Sequence, residues 1–436
     1  MLAKKLRWFH LWGIGVGIVI GAAYFGWNYG LQKANLFTFM LATIIAGIFY
    51  LCSILCNLKL VLHYPKCGGQ FEYAHQLTSR WFSSAVCVAG IIVFAVGSAS
   101  LAAACGAFFH SLNPEINSKL IAVATILAFA ALNLTRITIS AAIQLIITII
   151  ALLLVIGFIL LLIPSANFTQ LISQLPAATA PHFGLTALLF AIPFGIWLFS
   201  GVEFIAMGSE ETTIAGNEIP KAYITAIGSL LIINILVVLI SAAALPLKQL
   251  AISDTPLVTV LQYHYRHLPW LINLFVLLSL SSILCSLNGD VYAGSRCIVA
   301  AARHGYLPQF LATSNRRNHS PINAVILITI LQLIGVLFLN LDQLVYVTVF
   351  CVIFLQFSNL LCILKVAIGK DNHALRLAIV PPLWLLLLTL LLFGIIFISL
   401  LTQQIQMFWY TLLIILVGSI MVYSYSKRHT IGQLLD

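Results

Sequence analysis

Apolar runs recur along the whole 436-residue chain, separated by short polar stretches. A helix rises 1.5 Å per residue, so an apolar run of about 18 or more crosses a bilayer's hydrocarbon. The pattern predicts about twelve spans, at roughly 8–30, 37–62, 84–109, 119–134, 138–163, 184–208, 222–246, 268–300, 322–340, 344–367, 376–401 and 406–425. Two of these carry residues that weaken a helix. The first has Gly13, Gly15, Gly17, Gly21 and Gly26; the second has Pro193, Gly195 and Gly201. Open backbone in hydrocarbon leaves N–H and C=O groups unpaired, at several kcal/mol each, and survives only where it lines a protein cavity. Paired interruptions in corresponding positions of two halves point to a transporter's binding site.

Composition agrees. The chain is 62% hydrophobic and 7% charged, whereas a soluble domain carries about 25% charged residues. Lys4, Lys5 and Arg7 before an apolar stretch imitate a signal peptide, but the stretch is too long and a second span follows, so it reads as a retained first helix. The formal charge of +10 is topological and does not point to nucleic acid. With the N-terminus inside, 17 of the 21 Lys and Arg fall on the inner side, and only Lys33, Lys119, Lys248 and Arg266 fall outside. The positive-inside rule then puts both termini in the cytoplasm, most simply at the plasma (inner) membrane.

Nine cysteines are present. Most lie in spans, where Cys acts as a small apolar residue; Cys67 falls in an inner loop and Cys105 alone approaches the outer side, so no external disulfide framework is expected. The sequon at Asn167 falls outside, while those at Asn133 and Asn318 fall inside. No metal-binding, nucleophile-elbow or phosphate-loop motif is found. The chain is therefore not read as an enzyme, and no catalytic or metal site is expected. Without an ATP-binding domain, uphill movement must use a gradient.

The longer connections are unequal. An inner loop at 63–81 and an outer loop at 247–269 occupy equivalent positions if helices 6–10 repeat helices 1–5. Five spans per copy is odd, so the second copy must be inverted. Residues 1–367 then form the repeat core, and 368–436 hold two extra helices and a tail.

Ionisable residues inside a membrane are rare, so each carries weight. Glu203 stands beside the second break, as a partner for a cation or as a carboxyl bonding backbone freed there. Asp290 and Arg296 are six residues apart, do not share a face, and read as structural pairs with other elements. Glu210 and Glu211 follow the second break as a solvated helix end, or as gate partners for Arg303 or Arg7. Trp197 reads as a lid over a substrate, Trp27 as an interfacial anchor. Gly13, Gly17 and Gly21, four apart, also fit a stripe for close helix packing.

Several motifs in order resemble the amino acid–polyamine–organocation transporter superfamily. Gly21-Ala22-Ala23-Tyr24-Phe25-Gly26 is similar to its Gly-Ser-Gly-Ile-Phe-Gly break. Pro65-Lys66-Cys67-Gly68-Gly69 through Tyr73-Ala74 resembles its Pro-x-x-Gly-Gly-x-x-x-Tyr-Ala loop. Trp197 through Glu203 with Ile219-Pro220-Lys221-Ala222 resembles its sixth helix, and Ser295-Arg296 through Pro308 its eighth. The resemblance implies an all-α, leucine-transporter-like 5+5 inverted repeat that moves amino acids or related small amines by alternating access. It implies that the N–H groups of Ala22, Ala23 and Tyr24, with Gly21, take a substrate carboxylate. It also implies that the carbonyls of Val19, Trp197 and Ser200, beside Gly201, take the ammonium. Glu203, Glu210 and Arg303 become gating or coupling residues, and Ser281 and Ser282 a candidate site for a coupling ion, H+ or Na+. Two positions depart from the family: Ala22-Ala23 replaces Ser-Gly, and Ala151 stands where many members carry a Lys. Tyr24 to Trp27 and 191–197 look most like ethanolamine permeases, although that group's acidic residue is Ala23 here. A non-transporting nutrient receptor and a subunit of a larger assembly, linked through Cys105, are the rival readings.

Overall fold

The computed structural model describes residues 6–64, 69–134, 141–167, 169, 184–212, 214–313, 321–368, 379–403 and 405–435. Every named element within them is helical. The first span is α1 (Trp8–Val19), continued by 3-10 turns at Ile20–Ala23 and Trp27–Gln32. It is followed by α2 (Leu36–His63), the short α3 (Gly69–Leu77), α4 (Arg80–Leu112), α5 (Ser118–Leu134) and α6 (Ala141–Leu162). The second interrupted span is α7 (Leu185–Trp197) with a 3-10 segment at Val202–Glu211. Then come α8 (Ala215–Ala244), the short α9 (Leu247–Ile252) and α10 (Pro256–Tyr265), α11 (Pro269–Arg303), α12 (Ile322–Phe338) and α13 (Leu341–Ile368). The last pair is α14 (Leu383–Gln403) and α15 (Ile405–Leu435).

Among the described residues nine helices are long and apolar enough to cross a membrane, and Trp8–Ala23, Ser118–Leu134 and Ile322–Phe338 are shorter apolar helices. Together they fill the twelve positions expected from the sequence. Helix starts are set by local caps. Asn35 accepts from the Thr38 N–H at 2.8 Å at the head of α2, and Ser79 from the Phe82 N–H at 3.3 Å at the head of α4.

Burial separates centre from rim. The apolar windows of α4 and α13 are 78% buried, whereas those of α6 and α15 are 28% buried and present isoleucine and leucine outward, as a lipid-facing helix must. The centre therefore consists of α4, α11 and α13 packed beside the two interrupted spans. The glycine stripe on α1 serves close packing at two of its positions. A side chain at Gly13 would meet Leu145 of α6, and one at Gly17 would meet Gln144 and Thr148.

Both ends of the described chain lie on one face. Leu6 forms a parallel bridge with Thr212, and Arg80 at the start of α4 donates to Ser426 of α15. On this terminal face the Trp8 N–H donates to the Glu218 carboxylate and Lys221 lies over the Trp8 ring at 4.5 Å, fastening α1 to α8. On the opposite face Asn28 donates to the carbonyls of Leu250 and Ser253 at 2.7 and 2.8 Å, and Tyr29 to Asp254 at 2.5 Å. The end of the first span is thereby fastened to α9 and the turn after it.

Candidate functional site

Each interrupted span turns at a glycine that no other residue could replace without strain. Gly26 has φ +87° and Gly201 has φ +113°. A side chain on Gly201 would stand 2.9 Å from Ile18 Cγ2 and 3.2 Å from Val19 Cγ2, so the second break lies directly against the first span. Gly195 plays a different part. It lies within α7, where a side chain would meet the backbone of Ala42 and Thr43 at 3.0–3.2 Å, and so permits close approach to α2.

The backbone groups released by the breaks are collected by side chains. Pro193 lacks the N–H that would bond the Leu189 carbonyl; Ser399 of α14 donates to that carbonyl instead. Asn234 of α8 donates to the Leu198 carbonyl at 2.9 Å. In the first span, Trp27 Nε1 donates to the Ala23 carbonyl and Trp197 Nε1 to the Phe25 carbonyl, both at 2.9 Å. Trp197 thus ties one break to the other, edge-on to the Phe25 ring at 5.6 Å. Trp27 is fully buried. It is a backbone cap and not the interfacial anchor the sequence suggests, because the Ala23 carbonyl released in the 3-10 turn is buried and needs a donor.

A cavity lies between the breaks. Ile18 and Ala22 of the first span line it, with Val93, Gly97 and Leu101 of α4. Trp197, Ser200, Gly201 and Phe204 of the second span complete it with Asp290 of α11 and Thr348 and Val352 of α13. Four of the expected substrate residues are therefore on its wall: Ala22, Trp197, Ser200 and Gly201. Val19, Gly21, Ala23 and Tyr24 are not. The Tyr24 N–H donates to the Gly21 carbonyl at 3.1 Å, and its hydroxyl donates to the Ala151 carbonyl at 3.1 Å. In this conformation the first span keeps a 3-10 turn where open backbone was expected, so the Tyr24 amide is taken. The wall residues of α4 and α13 carry no sequence signal, being ordinary apolar and small residues of a membrane helix.

A second cavity opens toward the terminal face, lined by Asn57, Gln70, Tyr73, Tyr223, Asn359 and Glu203 among others. Phe204 lines both cavities and stacks on Phe94 of α4 at 5.0 Å, forming the partition. Glu203 bonds the released backbone: its Oε2 accepts from the Gly201 N–H at 3.1 Å, while Tyr223 donates to its carbonyl at 3.2 Å.

Other expectations fare unequally. Asp290 was expected in a structural pair, yet it lines the central cavity, and none of the donors around it bonds its carboxylate. Ser281 is exposed on the outer side of α11 and donates to the Leu278 carbonyl at 2.6 Å, so it cannot contribute to an internal cation site. Ser282 is buried with an unpartnered hydroxyl. Ser286, one turn on, donates to the Gly17 carbonyl at 3.0 Å, and Thr148 to the Gly13 carbonyl at 2.8 Å. Arg303 is exposed at the end of α11, and the side chains of Glu210 and Glu211 lie outside the described residues, as does Cys67. Near the end of α11, Glu72 Oε2 of α3 lies within hydrogen-bonding distance of His304 Nε2, at 3.1 Å. Cys105 is buried and cannot link a partner at the surface.

Two spans broken at facing positions, with a cavity between them in a bundle of apolar helices, define a membrane transporter. The amino acid permease family profile matches residues 6–420, and the chain belongs to that family. It is 24% identical over 344 residues to an uncharacterized transporter of Rhizobium meliloti, covering 77% of this chain and 73% of that protein. It is 25% identical over 357 residues to the human cystine/glutamate transporter, covering 79% and 70%, and 24% identical over 330 residues to the Bacillus subtilis amino-acid permease RocE, covering 72% and 69%. The chain is accordingly a multi-pass integral membrane protein and an amino acid transporter, not an enzyme.

Proposed function

We propose that this protein is a secondary active transporter that moves its substrate by alternating access around the central cavity. The observation that carries this reading is the mutual bracing of the two breaks: Trp197 bonded to the Phe25 carbonyl and Gly201 seated on Ile18. In this reading the Trp8–Glu218–Lys221 fastening on one face and the Asn28–Tyr29 fastening on the other are the contacts that open in turn. Phe204 is the partition that moves when the terminal-face cavity joins the central one. The order of interrupted helix, long helix, a short helical connection (α3 in one copy, α9 and α10 in the other) and three further helices, from α1 and again from α7, supports a 5+5 inverted repeat with α14 and α15 added. The distribution of Lys and Arg supports a cytoplasmic terminal face at the plasma membrane.

In this reading Ala22, Ser200 and Gly201 contact the α-carboxylate and α-amino groups, and Trp197 covers them. Thr148 and Ser286 fasten the first span to α6 and α11 through the Gly13 and Gly17 carbonyls, and the counter-species in this reading is H+, Na+ or a second substrate. Uptake into proteoliposomes tests the reading. Saturable amino acid uptake is expected, and replacing sodium with choline reads whether Na+ is the coupled ion. Saturable ethanolamine uptake unaffected by excess amino acids would replace the amino acid with a simple amine. Ligand binding without flux under any imposed gradient would make the chain a receptor.

A further inference from the structure

We infer that Asp290 anchors a cationic group of the transported substrate, so that the central site favours substrates with an ammonium or guanidinium and a net positive charge. This rests on the transporter reading and deepens it by naming the substrate class.

Asp290 sits on α11 one turn beyond Ser286, whose hydroxyl is bonded to the Gly17 carbonyl of the first span. It is 7% exposed, and that exposure is to the cavity it lines. It is the one ionisable side chain among the described residues of the cavity wall. The nearby polar groups are already committed. Ser200 donates to the Ile196 carbonyl at 3.1 Å, Thr348 to the Leu344 carbonyl at 2.8 Å, and Trp197 to the Phe25 carbonyl. No donor of the wall is left for the carboxylate.

A buried carboxylate without a partner is costly, by several kcal/mol even after relaxation. No lysine, arginine or histidine lines this cavity to compensate it. The other acid of the broken core among the described side chains, Glu203, is itself a carboxyl and is held by the Gly201 N–H. An unpartnered carboxyl such as Asp290 takes either a proton or a cation brought by a ligand, and a cationic substrate entering this cavity supplies the second. The approach is kept open by Gly97 of α4: a side chain there would stand 3.5 Å from Asp290 Oδ2 and 3.4 Å from Thr348 Cγ2, in the space a cation would use. The same geometry disfavours an acidic substrate, whose second carboxylate would face Asp290 with no cation between them.

Two kinds of molecule present this chemistry: an amino acid with a basic side chain and an amine without a carboxylate. Reconstituted protein in proteoliposomes separates them, using labelled lysine, arginine, cadaverine, leucine and glutamate. Saturable uptake of lysine or arginine, or of cadaverine, is expected, with glutamate excluded. Uptake of lysine and not cadaverine assigns the basic amino acid; the converse assigns the amine. In Asp290→Asn the ratio of cation to leucine uptake is expected to fall about 30-fold or more, the scale for removing one partner of a buried charge pair. An equal fall for leucine and lysine, or no fall, overturns the inference. If the variant does not fold, competition in the native protein decides: cationic compounds that fail to compete with leucine overturn the inference while leaving the transporter reading intact. Absence of uptake for every compound overturns both.

Discussion

Among the described side chains, Glu203 and Asp290 are the two acids that reach the broken core, and the fold treats them oppositely. Glu203 follows the second break by two residues and bonds the very N–H that the break releases. Asp290 comes from an unbroken helix, has no released backbone within reach, and faces open space. An acid that repairs its own chain contributes to the fold. An acid that repairs nothing is held at a cost to the fold, and it is free to serve a proton or a cationic ligand. Position beside a break therefore identifies the structural acid, and the lack of a partner identifies the functional one.

The largest expected effect breaks the frame on which both acids stand. Gly201→Val places a branched side chain at φ +113° and against Ile18. We expect loss of folded protein, seen as aggregation in size-exclusion chromatography of the detergent-solubilised variant. A monodisperse, active Gly201→Val protein would mean that the break is not fixed by its glycine. Next comes Glu203 itself. Glu203→Ala leaves the Gly201 N–H without its acceptor and is expected to cost about 1–3 kcal/mol of stability. Glu203→Gln keeps an acceptor oxygen and should retain most of it. Thermal unfolding in detergent compares the two. If both variants unfold alike, Glu203 is not a backbone cap. Altered pH dependence of uptake in Glu203→Gln, with stability retained, would add a coupling role.

The number and order of the spans were legible in the sequence because bilayer thickness imposes a length on every one. The breaks were legible too, through Pro193, Gly201 and Gly26, since only special residues permit those backbone turns. What was not legible is which way each helix faces. In a membrane the lipid side and the packed side are both apolar, so periodicity that orients a soluble helix is nearly silent. That is why Ser281 was grouped with Ser282 although one faces outward and the other inward. It is also why Trp27 was placed at an interface and Asp290 was assigned a structural partner. The pairings that repair the breaks, Ser399 with Leu189 and Asn234 with Leu198, join residues far apart in sequence and leave no local pattern.

A smaller effect extends the comparison to a cap that carries no charge. Asn234 is buried in α8 and donates to the Leu198 carbonyl at 2.9 Å, the acceptor counterpart of the Glu203 repair. Asn234→Ala is expected to cost about 1 kcal/mol, near the net value of a neutral hydrogen bond and below the charged cap at Gly201. A loss as large as that of Glu203→Ala would show that the break is held by both ends equally.

The smallest effect on stability is expected at the other acid. Asp290→Asn removes a carboxyl that no wall group bonds and keeps the shape of the side chain. The folded state therefore loses no bond, and any desolvation cost of the carboxyl falls. Thermal unfolding without substrate should show Asp290→Asn at or slightly above the native protein, whereas Glu203→Ala lies below it. Addition of a transported cation should stabilise the native protein by mass action and stabilise Asp290→Asn less, since the ligand then lacks its counter-charge. An Asp290→Asn protein that is clearly less stable than the native one without ligand would place a structural partner on Asp290 and collapse the distinction between the two acids.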